Sequence, residues 1–242
     1  MFGLFLAVIT ALFTFSYLAI FKLPKLKRMR RDVQIKFARK QLKFIARTIL
    51  KVLGVKVHVT YVDKEEILNL KNSEGIVLVS NHESNFDIPV ILAGVPMDIG
   101  FVAKKEMESW PFYSTWMKLS NCIFLDRSNP REGIKSIKKA VEITKAGYPT
   151  VIFPEGERTL TGEMGEFKKG SFKLATETKG VIVPISLVGT RGIQKRGSVL
   201  INRNKKVKLI IGKPIYINNL SDENLKFLNK DVKNIVQNNK KL

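Results

Sequence analysis

One histidine in this chain stands where it can do acid–base chemistry. His82 lies in Ser80-Asn81-His82-Glu83-Ser84-Asn85-Phe86-Asp87, directly after the apolar run Gly75-Ile76-Val77-Leu78-Val79. That run reads as a buried strand, so His82 falls where a strand ends and a loop begins, which is where α/β sheets bind ligands. Imidazole titrates near neutrality, and a carboxylate within reach of Nδ1 fixes its tautomer and orientation as a general base. Asp87 is the candidate partner. A spacing of five does not stack two side chains on one helix face, so the pairing needs a loop or a strand-to-helix corner. On spacing alone, a turn-stabilising histidine is an equal reading. Two further stretches also sit at or after strand-like runs, Phe153-Pro154-Glu155-Gly156-Glu157-Arg158-Thr159 and Ile182-Val183-Pro184-Ile185-Ser186-Leu187-Val188-Gly189-Thr190.

The elements that must position these residues follow from periodicity. Core strands are expected near residues 76–80, 98–103, 121–125, 150–153, 182–188 and 206–211, with Val55 to Val62 alternating as one more. The other histidine, His58, falls among the valines of that last strand and reads as a packing or surface residue. A helix opens at Asn129-Pro130 and carries Ile134, Ile137 and Val141 to a stop at Gly147-Tyr148-Pro149. Ser171 to Lys179 reads as another, stopped by Gly180, and Ser221 caps a last one. Strands alternating with helices predict an α/β fold, a mixed sheet flanked by helices.

The 242 residues suffice for one substantial domain, and a hydrophobic content of 45% allows a real core. The lone Cys122 excludes a disulfide framework and a cysteine metal cluster, so no metal site is expected; in a strand-like run it reads as an apolar filler. The net charge of +21 is uneven: residues 22–51 hold twelve Lys or Arg against the single acid Asp32, about half of the excess. Before them, residues 1–21 carry no charge, about 32 Å if helical against a bilayer core of about 30 Å. With no basic residue before the apolar run, it reads as a retained anchor rather than a cleaved signal, with spanning and half-embedded readings both open. Lys22, Lys25, Lys27, Arg28, Arg30 and Arg31 then keep the rest of the chain cytoplasmic, at an inner or plasma membrane. From Asp32 to Leu53, Ile35, Ala38, Leu42, Ile45, Ile49 and Leu53 recur at helical spacing beside a stripe of Lys36, Lys40, Lys43, Arg47 and Lys51. That amphipathic helix is expected to lie in an anionic membrane interface; the alternative is a helix packed on the domain with solvated lysines. The expected division is therefore residues 1–53, membrane-associated helices, and 54–242, the α/β domain.

Asn81, His82, Ser84 and Asp87 resemble the hallmark of the glycerolipid acyltransferases, a family that includes the bacterial 1-acylglycerol-3-phosphate acyltransferases. Asn121-Cys122-Ile123-Phe124-Leu125-Asp126-Arg127, with Lys104 in its lead-in, is similar to the second family block. Residues 153–159 resemble the third and 183–190 the fourth. The chain departs from the pattern at Glu157, where the family usually has Thr, and at Asn121, where it usually has Gly.

The resemblance implies transfer of a fatty acyl group from a thioester, of acyl carrier protein or coenzyme A, to the free hydroxyl of lysophosphatidic acid, giving phosphatidic acid for phospholipid synthesis. The thioester is a co-substrate, and no cofactor is expected. His82 would be the general base and Asp87 its orienting partner. Arg158 is the candidate for the acceptor's phosphate, because a guanidinium binds phosphate oxygens bidentately. The resemblance adds Arg127 and Lys104 as phosphate ligands, Glu155 as a contact to the glycerol part, and Pro184 on the acyl-donor side; Gly156 lets the backbone turn close to the ligand. Arg127 also reads as a surface ion pair with Asp126, and Pro184 as a strand-edge residue. The absence of a Gly-x-Ser-x-Gly elbow argues for direct transfer rather than an acyl-serine. Two alternatives stay open: a sister acyltransferase acting on glycerol 3-phosphate or another lysolipid, and a basic membrane-tethered binding protein. No nucleic-acid motif is present, and the charge placement favours a phospholipid surface as partner over nucleic acid.

Overall fold

A computed structural model describes residues 2–17, 22–26, 28–70, 73–111, 113–126 and 128–242. The elements, in order, are α1 (Phe2–Tyr17), α2 (Leu23–Leu26), α3 (Arg31–Val52), β1 (Lys56–Tyr61), α4 (Lys64–Asn69), β2 (Ile76–Ser80), α5 (Asp87–Gly94), β3 (Gly100–Lys104), α6 (Tyr113–Leu119), β4 (Ile123–Leu125), α7 (Pro130–Lys145), β5 (Thr150–Ile152), α8 (Lys173–Thr178), β6 (Val181–Val188), β7 (Lys206–Ile211), β8 (Ile215–Tyr216) and α9 (Asp222–Asn239).

The strands form one mixed sheet in the order β1-β7-β6-β2-β5-β3-β4, with β8 also paired to β6. From β6 to β4 the strands run parallel, whereas β7 and β8 pair antiparallel with β6. All five residues of β2 are buried, as expected for a central parallel strand covered on both faces. Alternate side chains of β2 divide between two cores. Ile76 and Leu78 join Val183, Ile185 and residues of α3 and α5 on one face. Val77 and Val79 meet Ala140 of α7, Leu174 of α8 and Val232 of α9 on the other. Full burial of such a side chain contributes about 1.5–3 kcal/mol, so these two layers fix where β2 ends.

Helix starts follow local chemistry. Asn129 Oδ1 accepts from Arg131 N at 3.1 Å and Glu132 N at 3.3 Å, with Pro130 in the first turn of α7. Ser221 Oγ accepts from Asn224 N at 3.2 Å to start α9. The expected helix over 171–179 begins as a 3-10 turn and stops at Lys179, whose φ of 52° is left-handed.

The N-terminal expectations need correction. Helix α1 is described over 16 residues, about 24 Å against a bilayer core of about 30 Å; residue 1 and residues 18–21 of the expected apolar segment lie outside the described residues. Among the described residues no helix is long and apolar enough to cross a membrane. The apolar stripe expected on α3 packs into the protein, while Val33 and Phe44 of the same helix stay exposed. Ala46 and Leu50, with Leu53 just beyond, enter the main core, while Ala38 and Ile45 pack on Leu26 and Trp116. Part of its basic stripe also folds back: Lys43 Nζ donates to Val95 O at 2.7 Å and Arg47 Nη2 to Ala93 O at 3.2 Å. Those carbonyls end α5, where cations are favoured by the helix dipole. Lys36, Lys40 and Lys51 remain exposed.

Arg39, one of the cations of the basic pattern, ties α3 to the segments that lead into β3, β4 and β5. It is 2% exposed, donating to Ser120 O at 3.0 Å, Asp98 O at 2.9 Å and Pro149 O at 3.1 Å. Burial lowers its pKa to about 10. Gly100 makes room for it, since a Cβ there would lie 2.7 Å from Arg39 Nη2.

Candidate active site

Four parallel strands carry the candidate residues to one edge of the sheet. His82 follows β2, Glu155 to Arg158 follow β5, Lys104 ends β3 and Asp126 follows β4; these are the C-terminal ends of neighbouring strands, where α/β sheets place their sites.

The corner that joins β2 to α5 brings His82 and Asp87 together. His82 Nδ1 lies 2.7 Å from Asp87 Oδ2. The same oxygen accepts from Glu83 N at 2.6 Å and Ser84 N at 2.9 Å. Asp87 Oδ1 accepts from Thr190 Oγ1. An oxygen already receiving two N–H donors is a carboxylate acceptor, so His82 donates from Nδ1 and Nε2 carries the lone pair. The ring also stacks on Phe153, centroids 4.1 Å apart and planes 18° apart. Asp87 is wholly buried, and the His82 side chain keeps 17% exposure. Backbone, carboxylate and aromatic contacts thus leave the imidazole one orientation and one open nitrogen.

Two neighbouring side chains hold this corner in the fold. Asn81 imitates a strand residue: its Nδ2 donates to Leu187 O at 3.0 Å and its Oδ1 accepts from Leu187 N at 2.8 Å. Ser84 Oγ donates to Gln194 O at 2.8 Å. Glu155, expected to touch the glycerol part of a ligand, is instead committed to the protein. It is 6% exposed, and its oxygens accept from His82 N at 2.6 Å and Gly165 N at 2.7 Å. Burial pushes its carboxyl up, against those two N–H bonds, which pull it down. Glu155 is therefore a strut between the His82 backbone and the loop after β5.

The cationic residues differ. Arg158 is half-buried; its carbonyl accepts from Arg196 Nη1 at 2.8 Å, and among the described residues its guanidinium has no partner. Lys104 is exposed at the end of β3, likewise without a partner among them. Arg127 lies outside the described residues. Asp126 is paired with Lys105 Nζ at 3.2 Å; the Ser128 hydroxyl and then Lys105 hold its carboxyl down to about 2. Gly156 turns with φ of 82°. It borders a cavity of about 320 Å³ lined also by Phe153, Asp126, Lys168, Ser171, Leu125 and Ile152.

Pro184 is not on the open side. It is buried in β6, opposite Val79, between the residues paired with β8 (Val181, Ile182) and those paired with β7 (Ile185 to Val188). A residue without an N–H fits the point where a strand changes partner.

Sequence reasoning missed Glu83 and Thr190 as parts of the site. Glu83 Oε1 accepts from Lys240 Nζ at 3.0 Å and Asn81 Nδ2 at 3.3 Å; Oε2 accepts from Gly189 N at 3.2 Å and lies 3.3 Å from Thr190 Oγ1. Thr190 has one proton for two carboxylates, and its shorter contact assigns that proton to Asp87. Both residues lie inside the quoted blocks, which was the available signal.

The buried Cys122 thiol is pushed up by burial, so it is no nucleophile. The arrangement offers a positioned general base beside unpaired cations.

Comparison with known proteins agrees with that chemistry. A chloroplastic 1-acyl-sn-glycerol-3-phosphate acyltransferase of Brassica napus is 36% identical over 155 residues, 64% of this chain and 45% of its own length. A probable 1-acyl-sn-glycerol-3-phosphate acyltransferase of Mycoplasma genitalium is 32% identical over 73% of this chain and 68% of its own. This chain spans about half the length of the plant relatives it matches. The crystal structure of the 1-acyl-sn-glycerophosphate acyltransferase PlsC from Thermotoga maritima superposes with a TM-score of 0.81 at 26% identity, over 99% of this chain and 95% of that one. The sequence pattern of the family described as Acyltransferase matches residues 58–188, over half of the chain and every strand end that carries the site; the chain belongs to the acyltransferase family.

Proposed function

We propose that this protein transfers a fatty acyl group from a thioester, of acyl carrier protein or coenzyme A, to the sn-2 hydroxyl of 1-acylglycerol 3-phosphate, giving phosphatidic acid. The observation that carries the reading is the His82–Asp87 pair, 2.7 Å apart, beside the unpaired guanidinium of Arg158. The names of the relatives and of the Thermotoga maritima structure support the acceptor.

His82 Nε2 takes the proton of the acceptor hydroxyl as its oxygen attacks the thioester carbonyl. Asp87 keeps Nδ1–H aligned and stabilises the imidazolium. The C–S bond breaks, the thiolate leaves, and the imidazolium returns the proton to sulfur. Such general-base catalysis contributes about 10² to 10⁴ in rate. Arg158 and Lys104 hold the acceptor's phosphate, joined by Arg127 on the family pattern, each charged hydrogen bond contributing about 1.5–3 kcal/mol. The cavity beside Gly156, of about 320 Å³, is within the size range of small-molecule sites.

An acceptor embedded in a membrane requires the site to work at a lipid surface. Helix α1, with Phe5 and Phe13 exposed at 59% and 75%, lies half-embedded in one leaflet with Lys22 and Lys25 at the headgroups, on the cytoplasmic side of the inner or plasma membrane. The basic surface suits an acidic carrier protein as donor.

The test is acyl transfer by purified protein in detergent, with both donors, comparing wild type with His82→Ala. Wild type makes phosphatidic acid, and His82→Ala loses at least about 10² in rate. Equal activity of the two would overturn the general-base role; transfer only to glycerol 3-phosphate or another lysolipid would reassign the acceptor. Salt-sensitive DNA binding without transfer would favour the tethered binding protein.

A further inference from the structure

We infer that Lys240, at the C-terminal end of α9, is a positioning residue that sets the charge state of the His82 site through Glu83. The inference rests on His82 acting as the base of the proposed reaction.

Glu83 is 6% exposed, one residue along the chain from the imidazole. A buried carboxylate is costly unless it is paired and hydrogen-bonded. Lys240 Nζ, 3.0 Å from Oε1, is the cation that pairs it, across 157 positions of sequence. Two contacts of Glu83 then lead to the catalytic pair. Its backbone N–H donates to Asp87 Oδ2 at 2.6 Å. Its Oε2 holds Gly189 N at 3.2 Å, and Gly189, at φ 92°, forms the turn that aims Thr190 Oγ1 at Asp87 Oδ1. Lys240 thus fixes the carboxylate that fixes the turn that supplies the last donor to Asp87.

It also balances charge. The charged groups in described contact around the imidazole are Asp87 at the start of α5, Glu83 in the same loop, Glu155 after β5 and Lys240 from α9. Three are acidic, and Lys240 is the cation bonded to one of them, Glu83, in addition to the Arg158 guanidinium left open for a ligand. Removing it leaves Glu83 uncompensated and favours imidazolium; removing the Glu83 charge leaves Lys240 uncompensated and disfavours imidazolium. A merely structural tie gives no such opposite shifts.

The chain's two histidines make this measurable by NMR of the ring nitrogens on the full chain in detergent, with no substrate. In Lys240→Met the His82 titration midpoint moves to higher pH, on the order of half a unit; in Glu83→Gln it moves to lower pH. Lys240→Arg restores the wild-type midpoint, and His58, exposed on β1, does not move in any variant. In acyl transfer, Lys240→Met lowers kcat by up to about threefold at neutral pH, moves the acid limb of the profile to higher pH and leaves the acceptor KM within about twofold. Thermal melts check folding; should Lys240→Met not fold, Lys240→Gln, which keeps a donor without the charge, must give the same upward shift. Unmoved His82 midpoints in folded Lys240→Met and Glu83→Gln, or shifts of the same sign, would overturn the inference. Opposite shifts in a protein that acylates no 1-acylglycerol 3-phosphate would sustain it and sink only the proposed acceptor.

Discussion

Asp87 and Arg158 lie at the same edge of the sheet, yet their surroundings are opposite. Asp87 is wholly buried, with one oxygen taken by His82 and two backbone N–H groups and the other by Thr190. Arg158 is half-exposed, and among the described residues no carboxylate meets its guanidinium. A group that must hold another in place is stabilised by many fixed partners; a group that must receive a ligand keeps its donors open and its hydration exchangeable. Over-bonded acid and under-bonded base are the two halves of one task, orientation and capture.

Substitutions that respect shape separate these halves. The largest effect belongs to Asp87→Asn, which keeps volume but places an amide where the N–H donors need a carboxylate: kcat falls by at least about 10² with little change in acceptor KM. Loss of less than tenfold in steady-state kinetics would remove Asp87 from the mechanism. Arg158→Ala acts on the other half. Acceptor KM rises about 10- to 100-fold, the equivalent of one charged hydrogen bond, and kcat is spared; a fall in kcat alone would break the comparison, because Arg158 would then be orienting rather than capturing.

Glu155 sharpens the boundary between them. Glu155→Gln leaves one backbone N–H facing an amide donor and costs about 1–3 kcal/mol in urea unfolding at pH 7. The pH trend has a definite sign. Burial raises the carboxyl above its ordinary value, so its stabilising contribution is fully present below the unfolded pKa and is lost as pH rises through the folded one. The stability gap between wild type and Glu155→Gln therefore widens from pH 7 to pH 5, and a narrowing gap would refute the burial effect. At the small end, Lys135→Ala removes an exposed partner of Glu132, 2.7 Å away, and leaves activity and melting temperature unchanged within error.

The sequence made the scaffold of the site legible because strands and caps are local. The run before His82, the Asn129-Pro130 start and the Ser221 cap each carry their own signal within a few residues, and each is realised. The basic amphipathic pattern of residues 32–53 was legible as a helix but not as a packed one, since a stripe of lysines looks the same whether it faces lipid, water or the carbonyls ending α5. Arg39 shows the limit most sharply. It belongs to a run of cations, and only the glycine at position 100 and three distant carbonyls make its burial possible. Pro184 and Glu155 were legible as motif members, but their roles as a point of strand exchange and a backbone strut depend on neighbours far along the chain.

By itself the sequence determined that a histidine follows a buried strand with an aspartate five residues on, and which residue types gather after the neighbouring strand-like runs. Only the tertiary structure decided which of those groups are spent on holding the site and which are left open. That division depends on partners such as Thr190, 103 positions from Asp87, and Lys240, 157 positions from Glu83. The physical reason is that hydrogen bonds and charge compensation act over a few ångströms of space, and spacing along a chain reports such distances only within a turn or a strand.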